Sequence, residues 1–537
     1  MTPSRLLARF AGVLLFSPIL AHTEEPVDLA MIHRIKAEAF GNSKVMDHEF
    51  YLTDVYGPRL AGSPNYEAAG DWVMKRLKEY GLTNVHKEMW AFGRGWTYSR
   101  FAGHMIEPQY QPLIGFPMAW TPGTDGAVQG QAIYAPMATE ADLAKFKGKL
   151  KGKIVLTMRM KDLAMVMQPQ GHRLTDEELA ARTQVADPSR LAFPFRPPAA
   201  AGQPTTPEER ERAQQFRKKL NQFLTDEGAV VALQYGSNGD GGTVFAAAGG
   251  SRDVKEPVPP PMVAVTPEHY NRIVRLLQHD IPVNLEFDIR ARFIDAPTDS
   301  FNVAGEIEGG RKKDEIVMLG AHLDSWHGGT GATDNATGSS VAIEAVRILK
   351  SLNVKLDRTV RVALWGGEEE GLLGSQAYVK EHFADRETMH PKPEYYKLSA
   401  YFNDDTGTGR FRGISVQGND ELKPIFEAWL KPFHDLGATT VAGATSAMNR
   451  RPGGTDHTSF DYVGLPGFGF IQDPMEYGTR THHSNMDVYD RVQPGDMMQA
   501  SAIMAAFVYN TAMREQMIPR TPLPKAIPKD RRNTTNE

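Results

Sequence analysis

The second half of this 537-residue chain alternates apolar runs with helical patterns, and that rhythm limits its fold more than any other feature. EIVMLGA (315–321) reads as a buried strand, and GSSVAIEAVRILKSLN (338–353) then places Val341, Ala345, Ile348, Leu349 and Leu352 at helical spacing. TVRVALW, KLSAYF and PGFGFI read as further strands, while LKPIFEAWLKPF and Asp496 to Met513 read as helices. Strands that are apolar along their whole length, each followed by a helix, predict an α/β fold. Its core is a mostly parallel mixed sheet flanked by helices.

Sites in such sheets form just beyond the carboxyl ends of the strands. After EIVMLGA come His322, Asp324 and, past a Gly-rich loop, Asp334 and Asn335. After TVRVALW come Glu368, Glu369 and Glu370; after KLSAYF come Asn403, Asp404 and Asp405; beyond PGFGFIQ lie His482 and His483. Singly, each has an ordinary structural role as a hydrogen-bonded histidine, a turn, or a solvated helix start. Together at one rim they repel one another, and a cation offsets that repulsion. The chain has no cysteine, so thiolate ligands are excluded. Oxygen and imidazole ligands suit zinc, manganese or cobalt in a hydrolytic site.

A chain of this length exceeds what one core usually organises, so two domains are expected. Residues from about 24 to 100 read as mainly helical, with SPNYEAAGDWVMKRLKEYGL ending at a capping Gly81. From about 110 to 292 short strands and turns take over, interrupted by FPFRPPAAAGQPTTPEER, a polar surface insertion; Thr175 and Glu178 there have the spacing of a capping box. A formal charge of −5 supplies no basic field, so nucleic acid is not an expected partner. Arg5 and Arg9 precede an apolar run from Phe10 to Leu20, the order of a secretory signal cleaved near Ala21. That run is shorter than a membrane span of ~20 residues, no later segment qualifies, and no membrane anchor is expected. Oligomeric state leaves no mark in the sequence.

In chain order, H-L-D-S at 322, D-N at 334, E-E-x-G-L-L-G-S at 368, N-x-D at 403 and H-S-x-x-D at 483 resemble the co-catalytic di-zinc aminopeptidase and glutamate carboxypeptidase family, over about residues 45–515. The resemblance implies a zinc exopeptidase fold of the phosphorylase/hydrolase-like type holding two Zn2+ ions, with manganese or cobalt as alternatives. It implies that Asp334 bridges both ions, that His322 and Asp405 complete one site, and that Glu369 and His483 complete the other. Glu368 would be the general base, and Asp324 would orient His322 from behind. Glu370 matches no functional position and is expected to face water. Gly453 to His457 resembles the family's G-G-S-D-H segment, which makes Asp456 and His457 candidate substrate contacts, with His482 a third. A Gly-rich turn capped by Asp456 is the ordinary alternative. Asn335-Ala336-Thr337 and Asn533-Thr534-Thr535 fit the glycosylation pattern, but the first lies in the metal loop, where no glycan fits.

The same resemblance divides the chain into a signal peptide (1–22), a front part of the peptidase domain (23–109), an inserted β-rich protease-associated domain (110–292), the main metallopeptidase domain (293–517) and a flexible tail (518–537). The insert would either lid the site or serve as a passive module. The expected protein is a periplasmic or secreted metallo-exopeptidase that acts on peptide substrates and releases N-terminal residues. Water shared by the two ions would attack the scissile carbonyl, with Glu368 taking its proton. A dipeptidase or carboxypeptidase of the same family is the first alternative. A non-catalytic receptor or scaffold is the alternative of another class, and the complete ligand set argues against it.

Overall fold

The computed structural model describes residues 25–183, 207–236, 239–442 and 454–526. The expected signal segment, most of the Pro-rich excursion, Gly453 and the end of the tail with Asn533 lie outside the described residues.

Eight strands form the first sheet, in the order Thr83–Ala91, Asp299–Ile307, Arg358–Trp365, Lys312–His322, Leu398–Asn403, Gly467–Gln472, Phe411–Ser415 and Thr440–Ala442. The four strands from Arg358–Trp365 to Gly467–Gln472 run parallel, with antiparallel neighbours on either side. Alternate residues of Lys312–His322 enter different cores, as a two-residue side-chain period requires. Val317 and Leu319 pack with the helices Thr337–Ser351 and Pro494–Met513. Ile316 and Met318 pack with Tyr378, Val379 and Phe460 on the other face. Both faces are therefore covered, which is why these strands read as unbroken apolar runs.

At Lys312–His322 the order of connection reverses. The chain passes first to Arg358–Trp365 on one side and then to Leu398–Asn403 on the other. Such a switch point opens a crevice beyond the strand ends, and His322 is the last residue of this strand. Gly320 makes the strand's close approach possible, since a Cβ there would lie 2.0 Å from Ala363 O.

The expected helical texture of residues 24–100 ends sooner. Helices Leu29–Gly41, Val45–Phe50 and Pro64–Glu79 form, the last capped by the Ser63 side chain and followed by Gly81 at φ +80°. Residues 83–91 and 95–107 are strands instead. In the edge strand Thr83–Ala91 only Trp90 is buried, so the period-two pattern is too faint to read.

A second eight-stranded mixed sheet takes in Gly95–Glu107 and strands between residues 111 and 294. Its two longest strands, Gly95–Glu107 and Asn284–Ile294, pair antiparallel, and the amphipathic helix Pro267–Gln278 inserts Tyr270, Ile273 and Val274 into its core. Thr175 and Glu178 form the anticipated reciprocal pair at helix Asp176–Thr183, at 2.8 and 3.3 Å. No helix among the described residues is long and apolar enough to cross a membrane.

Candidate metal centre

Beyond the parallel strand ends, residues far apart in sequence converge on Asp334. His322 Nε2 lies 3.3 Å from Asp334 Oδ1 and 3.2 Å from Asp405 Oδ1. On the other side His483 Nε2 lies 3.2 Å from Asp334 Oδ2 and 2.9 Å from Glu369 Oε2. His322, Asp334 and Asp405 thus face one point; on the other side Asp334, His482 and His483 form a second close group, to which Glu369 is joined through His483.

Glu368 is the immediate neighbour of Glu369. Burial pushes its carboxyl up, His322 opposes this, and Asp405, Asp456 and Glu369 add to the rise. Glu369 is pushed up to about 7, by burial first and then by Asp334. Burial acts against the charge on His322 and His483, but the carboxylates around them prevail and hold both imidazoles well above their usual value. Asp334 goes the opposite way, because its bonds to those two histidines outweigh burial.

Asp324 contacts His322 less simply than expected. The imidazole Nδ1 is 3.0 Å from the Asp324 backbone oxygen and 3.7 Å from its carboxylate. The carboxylate instead accepts hydrogen bonds from Glu368 N and Glu369 N, both at 3.3 Å. One buried residue therefore supports both the histidine and the glutamate turn.

Other expectations resolve one by one. Glu370 does not face water: both its carboxylate oxygens are buried without a hydrogen-bond partner among the described residues. The turn at 368–371 precedes helix Leu373–His382 instead of opening it, and folds Glu370 inward toward the field of Asp324 and Glu369. His482 stacks on His483 with ring centroids 3.6 Å apart, and its Nε2 is 3.7 Å from Asp334 Oδ2, although 38% of its side chain is exposed. Asp456 is fully buried and pushed up to about 8 by burial, with Asp405 and Asp324 in its surroundings. The His457 ring lies 3.2 Å from the Gln417 amide and packs over Gly469. Asn335 is fully buried, its amide donating to Asp404 O at 2.9 Å, so the glycosylation pattern there has no room for a sugar.

Two residues that hold this centre carried no assignment from the sequence. Arg59, in GPRLAGS, is fully buried and donates to the carbonyls of Leu52, Leu323, Thr330 and Gly331 at 2.6 to 2.9 Å. It clamps the loop between His322 and Asp334. Asp487, the last position of H-S-x-x-D, accepts from Thr333 N at 2.6 Å, Thr333 Oγ1 at 2.8 Å and Asp334 N at 3.1 Å. A charged residue in an apolar, Gly-flanked context was the available signal for Arg59. For Asp487 it was the fixed spacing from His483.

These residues suit a metal. Among the described residues, Asp334 Oδ2 meets only the imidazoles of His482 and His483, Glu369 Oε1 is buried without a hydrogen-bond partner, and no Lys or Arg forms an ion pair with Asp334, Glu369 or Asp405. Buried carboxylates left in that state are costly unless a cation joins them. The donors are carboxylate oxygens and imidazole nitrogens, a set that zinc accepts readily.

Residues 302–508 match the family model described as Peptidase family M28. Carboxypeptidase Q of Mus musculus is 25% identical over 472 residues, covering 88% of this chain and 86% of that protein. Aminopeptidase YwaD of Bacillus subtilis (strain 168) is 30% identical over 208 residues, covering 38% of this chain and 43% of that protein. Among solved structures, a peptidase M28 precursor from Shewanella amazonensis SB2B aligns with a TM-score of 0.63 at 24% identity, over 92% of this chain and 98% of that one. BSAP, a zinc aminopeptidase from Bacillus subtilis, aligns with a TM-score of 0.54 at 20% identity, over 88% of this chain and 95% of that one.

Proposed function

Because the chain belongs to peptidase family M28 through residues 302–508, we propose that it is an exported zinc exopeptidase that removes residues from the N-terminus of peptides. The observation that carries this reading is the meeting of His322 and His483 at the shared Asp334 carboxylate, with Asp405 on His322, Glu369 on His483 and Glu368 beside them. His322, Asp334 and Asp405 would hold one ion, and Asp334, Glu369 and His483 a second. Bound there, zinc supplies Lewis acidity that activates a water and polarises a carbonyl. Glu368 takes the proton of the attacking water and returns it to the leaving amine, work for which a carboxylate raised by burial is suited. Asp324 holds Glu368 and Glu369 by their backbone amides, which keeps base and ligand in a fixed relation. Asp456, His457 and His482 lie around this centre as candidate substrate contacts.

The domain plan belongs to the same proposal: a main peptidase domain at 293–517 completed by residues 23–109, with a protease-associated insert at 110–292, although strand Gly95–Glu107 pairs within the second sheet and so sides with the insert. So does export, for which the Arg5 to Ala21 segment is the support. One observation favours a second reading. The likeness to Carboxypeptidase Q runs through 88% of this chain, so a dipeptidase or carboxypeptidase is the alternative.

Peptides blocked at either end separate the two. Cleavage that survives only C-terminal blocking supports the aminopeptidase reading, and cleavage lost with either block identifies a dipeptidase. Glu368→Gln is expected to lower kcat by about 100-fold or more with zinc content unchanged. A variant with normal turnover would sink the base assignment.

A further inference from the structure

Residues 161–171 cross from the second sheet toward the candidate metal centre without forming helix or strand. Both ends of this strap are anchored. Lys161 N donates to Asn271 Oδ1 at 3.0 Å, and its ammonium donates to Gly239 O at 2.6 Å. At the far end His172 and Met475 exchange two backbone hydrogen bonds, and Arg173 pairs with Asp473 and Asp496 at 2.9 and 2.8 Å. Gln170 reaches the loop that carries His482 and His483, its side chain accepting from Arg480 and its carbonyl from Thr479 Oγ1 at 2.9 Å.

Between these anchors the strap presents groups that folded chains usually cover. Met165, Val166 and Met167 are 84%, 56% and 80% exposed. Among the described residues, no backbone–backbone hydrogen bond involves residues 162–169. Leu163, Met165 and Val166 line a cavity of about 450 Å3, completed by Thr243 and Glu268 from the second sheet's domain and by Arg480. Glu268 Oε2 is buried without a hydrogen-bond partner among the described residues. One lining residue, Arg480, comes from the loop that carries the two histidines. Arg480 is two residues from His482, and Asn485 bonds Val244 through its backbone N at 3.1 Å and its side-chain Oδ1 at 2.8 Å.

An anchored segment with unpaired amide groups, beside a cavity, has what extended peptides need for binding. Main-chain hydrogen bonds supply affinity, and pockets for side chains supply selectivity. The volume falls within the ~300–1,000 Å3 typical of ligand pockets. Methionine side chains adapt to apolar partners of varied shape. We propose that the strap and cavity form a remote subsite. It binds the main chain of the peptide substrate a few residues from the bond cleaved and selects apolar side chains there. The subsite rests on the peptidase reading above, and not on which end of the peptide is attacked.

The test is the double substitution Met165→Ser with Val166→Ser in the full-length, zinc-loaded protein. Both positions are exposed, so the fold does not depend on them. The readout is the ratio of kcat/KM for a pentapeptide with apolar residues at positions three and four to kcat/KM for an aminoacyl p-nitroanilide. The ratio is expected to fall about tenfold, mainly through KM. In a Glu368→Gln background, the Kd of the same pentapeptide, read by calorimetry, rises by a similar factor. An unchanged ratio, whether both activities persist or both decline together, overturns the subsite. An N-acetylated pentapeptide checks the proposed function separately: if it is cleaved as fast as the free one, the N-terminal reading fails, and the ratio measured on it still judges the subsite.

Discussion

Asp487 is 3% exposed and holds, by three hydrogen bonds, the backbone that presents the proposed bridging carboxylate of Asp334. Burial and the charge of Asp334 push it up to about 7. Residues that orient metal ligands typically change affinity 10- to 100-fold when altered. Asp487→Asn is accordingly expected to weaken zinc binding at least about tenfold in a chelator competition, and unchanged affinity would mean that the Asp334 loop holds itself. A second comparison concerns adjacent residues. Asp405 Oδ1 faces His322, whereas both Asp404 oxygens are buried without partners among the described residues and belong to neither candidate metal group. Asp405→Asn should lower zinc stoichiometry, and an equal loss in Asp404→Asn with none in Asp405→Asn would transfer the role. The neighbours of Glu370 in sequence gave no reason to expect burial, which comes from the inward fold of the turn.

Among the elements, the edge strand Thr83–Ala91 shows how side-chain contacts fasten a strand that its own pattern barely specifies. His382, at the end of helix Leu373–His382, places Nε2 2.8 Å from Glu88 Oε1 and Nδ1 3.0 Å from Glu394 Oε2. Burial disfavours its charge, but the two carboxylates prevail and hold the imidazole up at about 9. A histidine raised in the folded state stabilises fully below its unfolded value of ~6.5 and loses that contribution as pH rises through the folded value. The wild type should therefore exceed His382→Gln in Tm at pH 6, and the difference should shrink above pH 9. A difference equal at pH 6 and pH 10 would exclude a charged imidazole in this role.

At the scale of the whole molecule, the two sheets are joined by polar latches. Asp473, fully buried just past the end of strand Gly467–Gln472, accepts from Arg173 at 2.9 Å, Leu174 N at 3.0 Å and Arg412 at 3.0 Å. His327 Nε2 lies 2.7 Å from Pro117 O, and Val244 is bonded to Asn485. Removing one partner of a buried ion pair costs about 3 kcal/mol, close to a hundredfold in local opening. Asp473→Ala should therefore speed proteolytic cleavage within residues 161–175 by about that factor while zinc content stays normal. Cleavage at the wild-type rate would show that the remaining anchors suffice.

By itself the sequence determined which strands lie at the centre and what stands at their ends. Strands covered on both faces must be apolar throughout, and a parallel sheet brings whatever follows each of them to one rim. That His322, Asp334, Glu369, Asp405 and His483 meet at one rim, though not the roles proposed for them, was legible for that reason. Tertiary structure alone decided which of two neighbours turns inward. The Glu370 carboxylate is buried where a solvated position was expected, and His482 approaches Asp334 alongside His483. Such choices depend on backbone conformation, as at His483 with φ +58° and Leu372 with φ +60°. Contacts such as those of Arg59, made with carbonyls more than 260 residues along the chain, set the loops that carry these residues. Local composition records none of them.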